Sequence, residues 1–168
     1  MPEIIPLGWA HTIVAIIALL SGFFTLAKYR LIQWQNTTGK VYLLCTLFVA
    51  TTALMIFQHG GFGIAHILAI LTLLALVAGA ITEKTQLLGK FSPYFQALCY
   101  SATLLFHMIP AITDGLMRLP VGNPVLTNIE DPLLKKFYLA FLVTFVVGYI
   151  AQVIMLRGKA KLKQALTS

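Results

Sequence analysis

Charge is what this sequence has least of. Asp, Glu, Lys and Arg make up 10% of its 168 residues, against about 25% in an ordinary soluble domain. Acidic groups are the scarcest, five against twelve basic residues. So little charge excludes a globular domain with a mixed ionic surface. The two cysteines, Cys45 and Cys99, cannot form the disulfide framework of a small secreted fold. They read as small buried apolar residues. There is no Gly-rich phosphate loop, nucleophile elbow, HExxH or CxxCH, so no standard nucleotide, serine-hydrolase, zinc-protease or c-type haem signature is present. The stretch "HGGFG" at 59–63 has the outline of an oxyanion loop but no serine nucleophile to go with it, and its glycines fit a tight turn. No internal repeat, linker or low-complexity segment stands out, so residues 1–168 read as one domain. Residues 1–10 hold no Lys or Arg, whereas a cleavable signal peptide has a positive n-region.

Apolar residues are what the chain does contain, at 59% and a mean hydropathy of +0.89. They fall into five runs, at about 7–27, 41–58, 62–82, 93–116 and 133–156. Crossing ~30 Å of hydrocarbon at 1.5 Å per residue takes about 20 residues. The expected fold is therefore all-α, an integral membrane bundle of five transmembrane helices. The second run is the shortest, and Pro110 is expected to kink or shorten the fourth. Gly22, Gly79 and Gly148 lie within runs, where small residues let helices approach closely. Residues 117–132 form the one long connection. It closes on "EDP", where Asp131 can cap the fifth helix and Pro132 can take its first position.

The basic residues orient this bundle. With five spans, one side receives Lys28, Arg30, Lys40, Lys84, Lys90, Arg157, Lys159, Lys161 and Lys163, and the other receives Arg118, Lys135 and Lys136. The positive-inside rule places the first group in the cytoplasm. The N-terminus is then extracytoplasmic and the C-terminus cytoplasmic, in a bacterial cytoplasmic (inner) membrane. The net charge of +7 reflects topology rather than nucleic-acid binding. The basic tail reads as a stop-transfer flank that also favours anionic lipid.

The four histidines, His11, His59, His66 and His107, all fall toward the extracytoplasmic ends of the runs, on four different helices. Ionisable residues inside spans are costly and usually face the bundle interior, where they mark a site. His11, His66 and His107 lie a turn or more deep, and His59 sits at the rim. Asp114 follows His107 by seven residues and shares its helix face if Pro110 leaves the helix intact. Three readings compete. Haem b would use His11, His66 and His107, with Arg118 or Lys135 near its propionates. A transition metal such as zinc, copper or iron would draw on His11, His59, His66, His107 and Asp114, with Glu130 and Asp131 as further carboxylates. In the third reading the layer binds no cofactor and serves as polar packing.

Several stretches also carry a resemblance: "HTIVAIIALLSG" (11–22), "TGKVYLL" (38–44), "TTAL" (51–54) and "GGFGIAHILAILTLLAL" (60–76). Over about residues 8–82 the chain resembles a bacterial family of small polytopic proteins known only as predicted membrane proteins with a domain of unknown function. The matching positions are His11, Gly39, Tyr42, Phe62, Gly63, His66 and Ala69. Relatives often carry a histidine just before the glycine that opens the second span, where this chain has Thr37 and Thr38. The resemblance implies a membrane helical bundle and a shared role for His11 and His66, and it supplies no activity.

The functional expectation is a membrane redox or metal-centre protein with a histidine-lined extracytoplasmic site. Quinone, a periplasmic electron donor or a membrane-complex partner would exchange electrons with it. The alternatives are a metal-dependent membrane hydrolase and a cofactor-free accessory subunit of a larger membrane complex. Whether the chain is an enzyme is left open.

Overall fold

A computed structural model describes residues 6–56 and 61–167. Among them the chain is all-helical: α1 (Pro6–Tyr29), α2 (Thr37–Ala53), α3 (Ile64–Thr85), α4 (Ser92–Arg118) and α5 (Pro132–Thr167), with a single 3-10 turn (Gly89–Phe91) ahead of α4. α1, α3, α4 and α5 are long and apolar enough to cross a membrane. α2 has 17 residues, about 25 Å at 1.5 Å per residue, and covers the hydrocarbon core less fully. It begins four residues before the expected run and ends at Ala53. Pro110 does not end α4, which continues to Arg118.

α1 to α4 pack in a ring, with α1 on α2, α2 on α3, α3 on α4 and α4 back on α1, and α5 lies against the outside of α4. Hydrogen bonds give the directions. His11 near the start of α1 meets Thr52 near the end of α2, and Thr25 near the end of α1 meets Thr38 at the start of α2, so the two are antiparallel. Tyr42 reaches Thr103 and Thr46 reaches His107, both pairs 61 residues apart. α2 and α4 therefore run parallel and in register across the ring.

The interior is built around two tyrosines. Tyr42 and Tyr100, 0% and 1% exposed, each lie over a helix glycine. A Cβ on Gly22 would stand 2.8 Å from the Tyr42 ring, and one on Gly79 would stand 2.5 Å from the Tyr100 ring. These close approaches are why both positions are glycine. Gly148 has open space where its Cβ would be, so the expected close packing does not occur there. The structure also corrects the absence of a repeat. "ALLSGFFT" (18–25) and "ALVAGAIT" (75–82) hold the same place in α1 and α3, and the partner helix of each hairpin lays a tyrosine on the glycine. The bundle is two similar hairpins side by side in the same orientation. In membrane proteins such repeats are related by an axis along the membrane normal.

At the basic end the α1–α2 connection does more than join helices. Arg30 takes a left-handed backbone, φ 65°, and the chain then turns Leu31 and Ile32 inward, with Ile32 2% exposed among the core residues. Glu83 holds this plug in place. One carboxylate oxygen accepts from the Trp34 backbone N–H at 3.0 Å and the other from the Tyr100 hydroxyl at 2.9 Å. Gly39 is required here, because a Cβ would strike the Gln33 backbone. Asp131 caps α5 as expected, its carboxylate accepting from Leu133 N–H at 2.8 Å.

Candidate functional site

The histidine end is organised by α2. Thr46 and Thr52 are buried, and each meets one imidazole from a neighbouring helix. Thr52 lies 2.9 Å from His11 Nδ1, and its hydroxyl hydrogen is directed at the carbonyls of Phe48 and Val49, at 2.9 and 3.1 Å. A threonine has one hydrogen to donate. His11 Nδ1–H is therefore the donor to Thr52, which leaves Nε2 as the ring's acceptor nitrogen.

The same accounting works for His107, whose Nε2 is 3.2 Å from Thr46 Oγ1. Thr103 donates to the Tyr100 carbonyl at 2.7 Å, so the Tyr42 hydroxyl donates to Thr103 at 2.6 Å. Thr46 stands beside Tyr42 Oη and can donate to it while accepting from His107 Nε2–H. With Thr46 turned to Tyr42, the donors run one way from His107 through Thr46, Tyr42 and Thr103 to the Tyr100 carbonyl. Such an aligned series is cooperative, each bond polarising the next. It leaves Nδ1 as the acceptor nitrogen of His107. The Tyr42 ring meets His107 edge-on, with centroids 6.4 Å apart, and holds that imidazole in position.

His11 and His107 are close enough to act on each other electrostatically, and Asp114 is within electrostatic range of His11. Asp114 is largely exposed and pairs with Arg118 one turn on, at 3.4 Å. Of the expected residues, His11, His107 and Asp114 thus lie toward one end of the bundle, with Arg118 beside Asp114. Lys135 pairs with Glu130 at 2.9 Å.

His66 is placed differently. Its Nδ1 accepts from the Gly63 backbone N–H at 3.1 Å, its backbone N–H donates to the Gly63 carbonyl at 3.0 Å, and its ring stacks on Phe62 with centroids 5.1 Å apart. This is half of a capping box, with imidazole where Glu or Gln usually reaches back. His66 secures the start of α3, and its capped Nδ1 means that Nε2 carries the proton. His59 lies outside the described residues. Cys45 and Cys99 are free thiols.

Among the described residues no group of three or more His, Cys, Asp or Glu side chains converges as a metal site. For haem b, His11 and His107 are each hydrogen-bonded through one nitrogen to a threonine of α2, which leaves the other nitrogen for a ligand, and Tyr42 packs edge-on beside His107. A ligand of that size needs a pocket of roughly 300 Å³ or more. Two cavities lie at the opposite, basic end.

Sequence reading located the histidines but missed Thr46, Thr52 and Glu83, and singled out Tyr42 only through the resemblance. For Glu83 a signal existed, since it is the only acidic residue assigned to the basic side. No protein-family model matches this chain, and neither does any curated protein or solved structure.

Proposed function

We propose that this is a five-span protein of a bacterial cytoplasmic membrane, with the histidine end extracytoplasmic, and that His11 and His107 form a proton-exchanging site. The orientation follows from the basic residues gathered at the other end. The observation that carries the functional reading is the His11–His107 pair itself. Two imidazoles from different helices are each anchored through one nitrogen to α2, which leaves one ring nitrogen of each without a role in that anchoring. A proton taken by either ring is felt by the other and is offset by Asp114. Histidine is suited to this because its ring can both take up and give back a proton, and ionisable chains inside membranes commonly serve proton transfer.

In this reading the chain supplies the acid–base half of membrane redox chemistry. A partner whose reduction takes up protons, such as a quinone, supplies the electron half. The hydrolase reading finds no third metal ligand beside the pair among the described residues. The subunit reading is compatible with the proton site, because the electron carrier then resides in the partner.

The test is a spectrum, a metal analysis and a histidine titration on one preparation. The purified protein is expected to show no Soret band and no stoichiometric metal. Its ¹⁵N-histidine spectrum is expected to show His11 shifting its titration when His107 is replaced by Phe, and holding it when His66 is replaced by Ala. A Soret band or bound metal that vanishes in His107→Phe would replace the proton site by a redox or metal centre.

A further inference from the structure

At the basic end α5 continues well past the length needed to cross a bilayer. It has 36 residues, and Arg157 stands about 37 Å from Pro132 at 1.5 Å per residue. That is near the headgroup level of a bilayer whose hydrocarbon core is ~30 Å thick. A cleft of about 590 Å³ opens there between α5 and the start of α4. Its walls include Tyr94 from α4 and Ile154, Arg157, Gly158 and Lys161 from α5. Arg157 and Lys161 are one turn apart and share a face. Among the described residues neither has a carboxylate partner. Gly158, beside Arg157, leaves the backbone between the two cations uncovered. Below them the same face of α5 becomes apolar through Ile154 and Ile150, 65% and 52% exposed.

We propose that this cleft binds one anionic phospholipid, with its phosphate between Arg157 and Lys161 and an acyl chain along Ile154 and Ile150. The order of chemistry along the groove, cationic at the headgroup level and aliphatic toward the membrane centre, matches a phospholipid and no free anion. The bidentate reach of arginine and the point charge of lysine are both suited to phosphate. Tyr94 closes the α4 side at the depth where aromatic side chains favour the interface. This site is independent of the histidine pair and rests only on the basic end lying at a membrane face.

Native mass spectrometry of the full-length protein in detergent, titrated with phosphatidylglycerol or phosphatidylcholine, tests it. One phosphatidylglycerol per chain is expected to be retained in preference to phosphatidylcholine. The double variant R157Q/K161Q is expected to weaken that binding by about fivefold for each cation lost. Lys159→Gln removes one positive charge from a residue outside the cleft, and is expected to lose clearly less than the loss of about fivefold assigned to one cleft cation. Equal retention of the two lipids, a double variant that binds like the parent, or an equal loss in Lys159→Gln would each overturn the site. Displacement of the lipid by millimolar inorganic phosphate would also overturn it, by assigning the cleft to a free anion.

Discussion

Replacing Gly79 by alanine would place a methyl carbon 2.5 Å from Cε1 and 2.7 Å from Cδ1 of Tyr100. Carbon atoms prefer separations near 3.5–4.0 Å. The obstructing atoms belong to a ring that is 1% exposed and fixed at its far end by the 2.9 Å bond to Glu83. The ring has to retreat, and overpacking of this kind costs about 1–3 kcal/mol. Retreat also strains a hydrogen bond to a charged group, worth about 1.5–3 kcal/mol if lost. Alanine returns about 1 kcal/mol in helix propensity. The expected net cost is roughly 2–4 kcal/mol, which lowers Tm by roughly 5–15 °C in a chain of this size. Heating the detergent-solubilised protein with a thiol-reactive fluorogenic dye reads this directly, because Cys99 is buried and reacts as the bundle opens. Gly148→Ala is the matched control, since nothing lies within 4 Å of its added Cβ. The double variant Gly79→Ala/Tyr100→Leu removes the clash, so its cost should fall below the sum of the two single changes. A Gly79→Ala protein that melts with Gly148→Ala would refute the tyrosine-on-glycine reasoning.

Three further predictions follow from the same contacts. Tyr42→Phe keeps the ring over Gly22 but removes the donor to Thr103; it should cost about 0.6–2 kcal/mol in chemical denaturation and alter the His107 ¹⁵N shift through Thr46. Glu83→Ala should release the plug formed by Leu31 and Ile32, seen as faster proteolysis within residues 30–36, whereas Glu83→Gln keeps one acceptor oxygen for the Trp34 N–H, turns its amide NH2 to the Tyr100 hydroxyl oxygen, and should be cut more slowly than the alanine variant. His66→Ala should cost about 1 kcal/mol, the usual value of a helix cap, with faster amide exchange confined to the first turn of α3 and no change in the His11 titration.

The helices were legible because lipid imposes a simple requirement: long runs of apolar residues that satisfy their own backbone hydrogen bonds. Four of the five expected runs correspond to helices long enough to cross. The second was displaced because α2 begins in the polar segment Thr37–Thr38–Gly39, whose position is set by packing of Gly39 on Gln33 rather than by hydropathy. The histidine layer was visible as a pattern of depth. Its division of labour was not, since His66 and His11 look alike in sequence. What separates them is local in one case, a glycine three residues back that His66 caps, and tertiary in the other, a threonine 41 residues away. The repeat in α1 and α3 shares only Ala, Leu, Gly and Thr across eight positions. It acquires meaning only when Tyr42 and Tyr100 are seen to fill the same notch.

The central claim is that His11 and His107 form one proton-exchanging unit at the extracytoplasmic end. The most direct measurement is the ¹⁵N-histidine titration of the protein in sealed vesicles of uniform orientation, with pH changed on one side at a time. Both rings should respond to pH on the histidine side and ignore pH on the basic side. Each should start with its proton on the nitrogen that faces α2, Nδ1 in His11 and Nε2 in His107. Independent titration of the two rings, or a response to pH on the basic side alone, would contradict the claim.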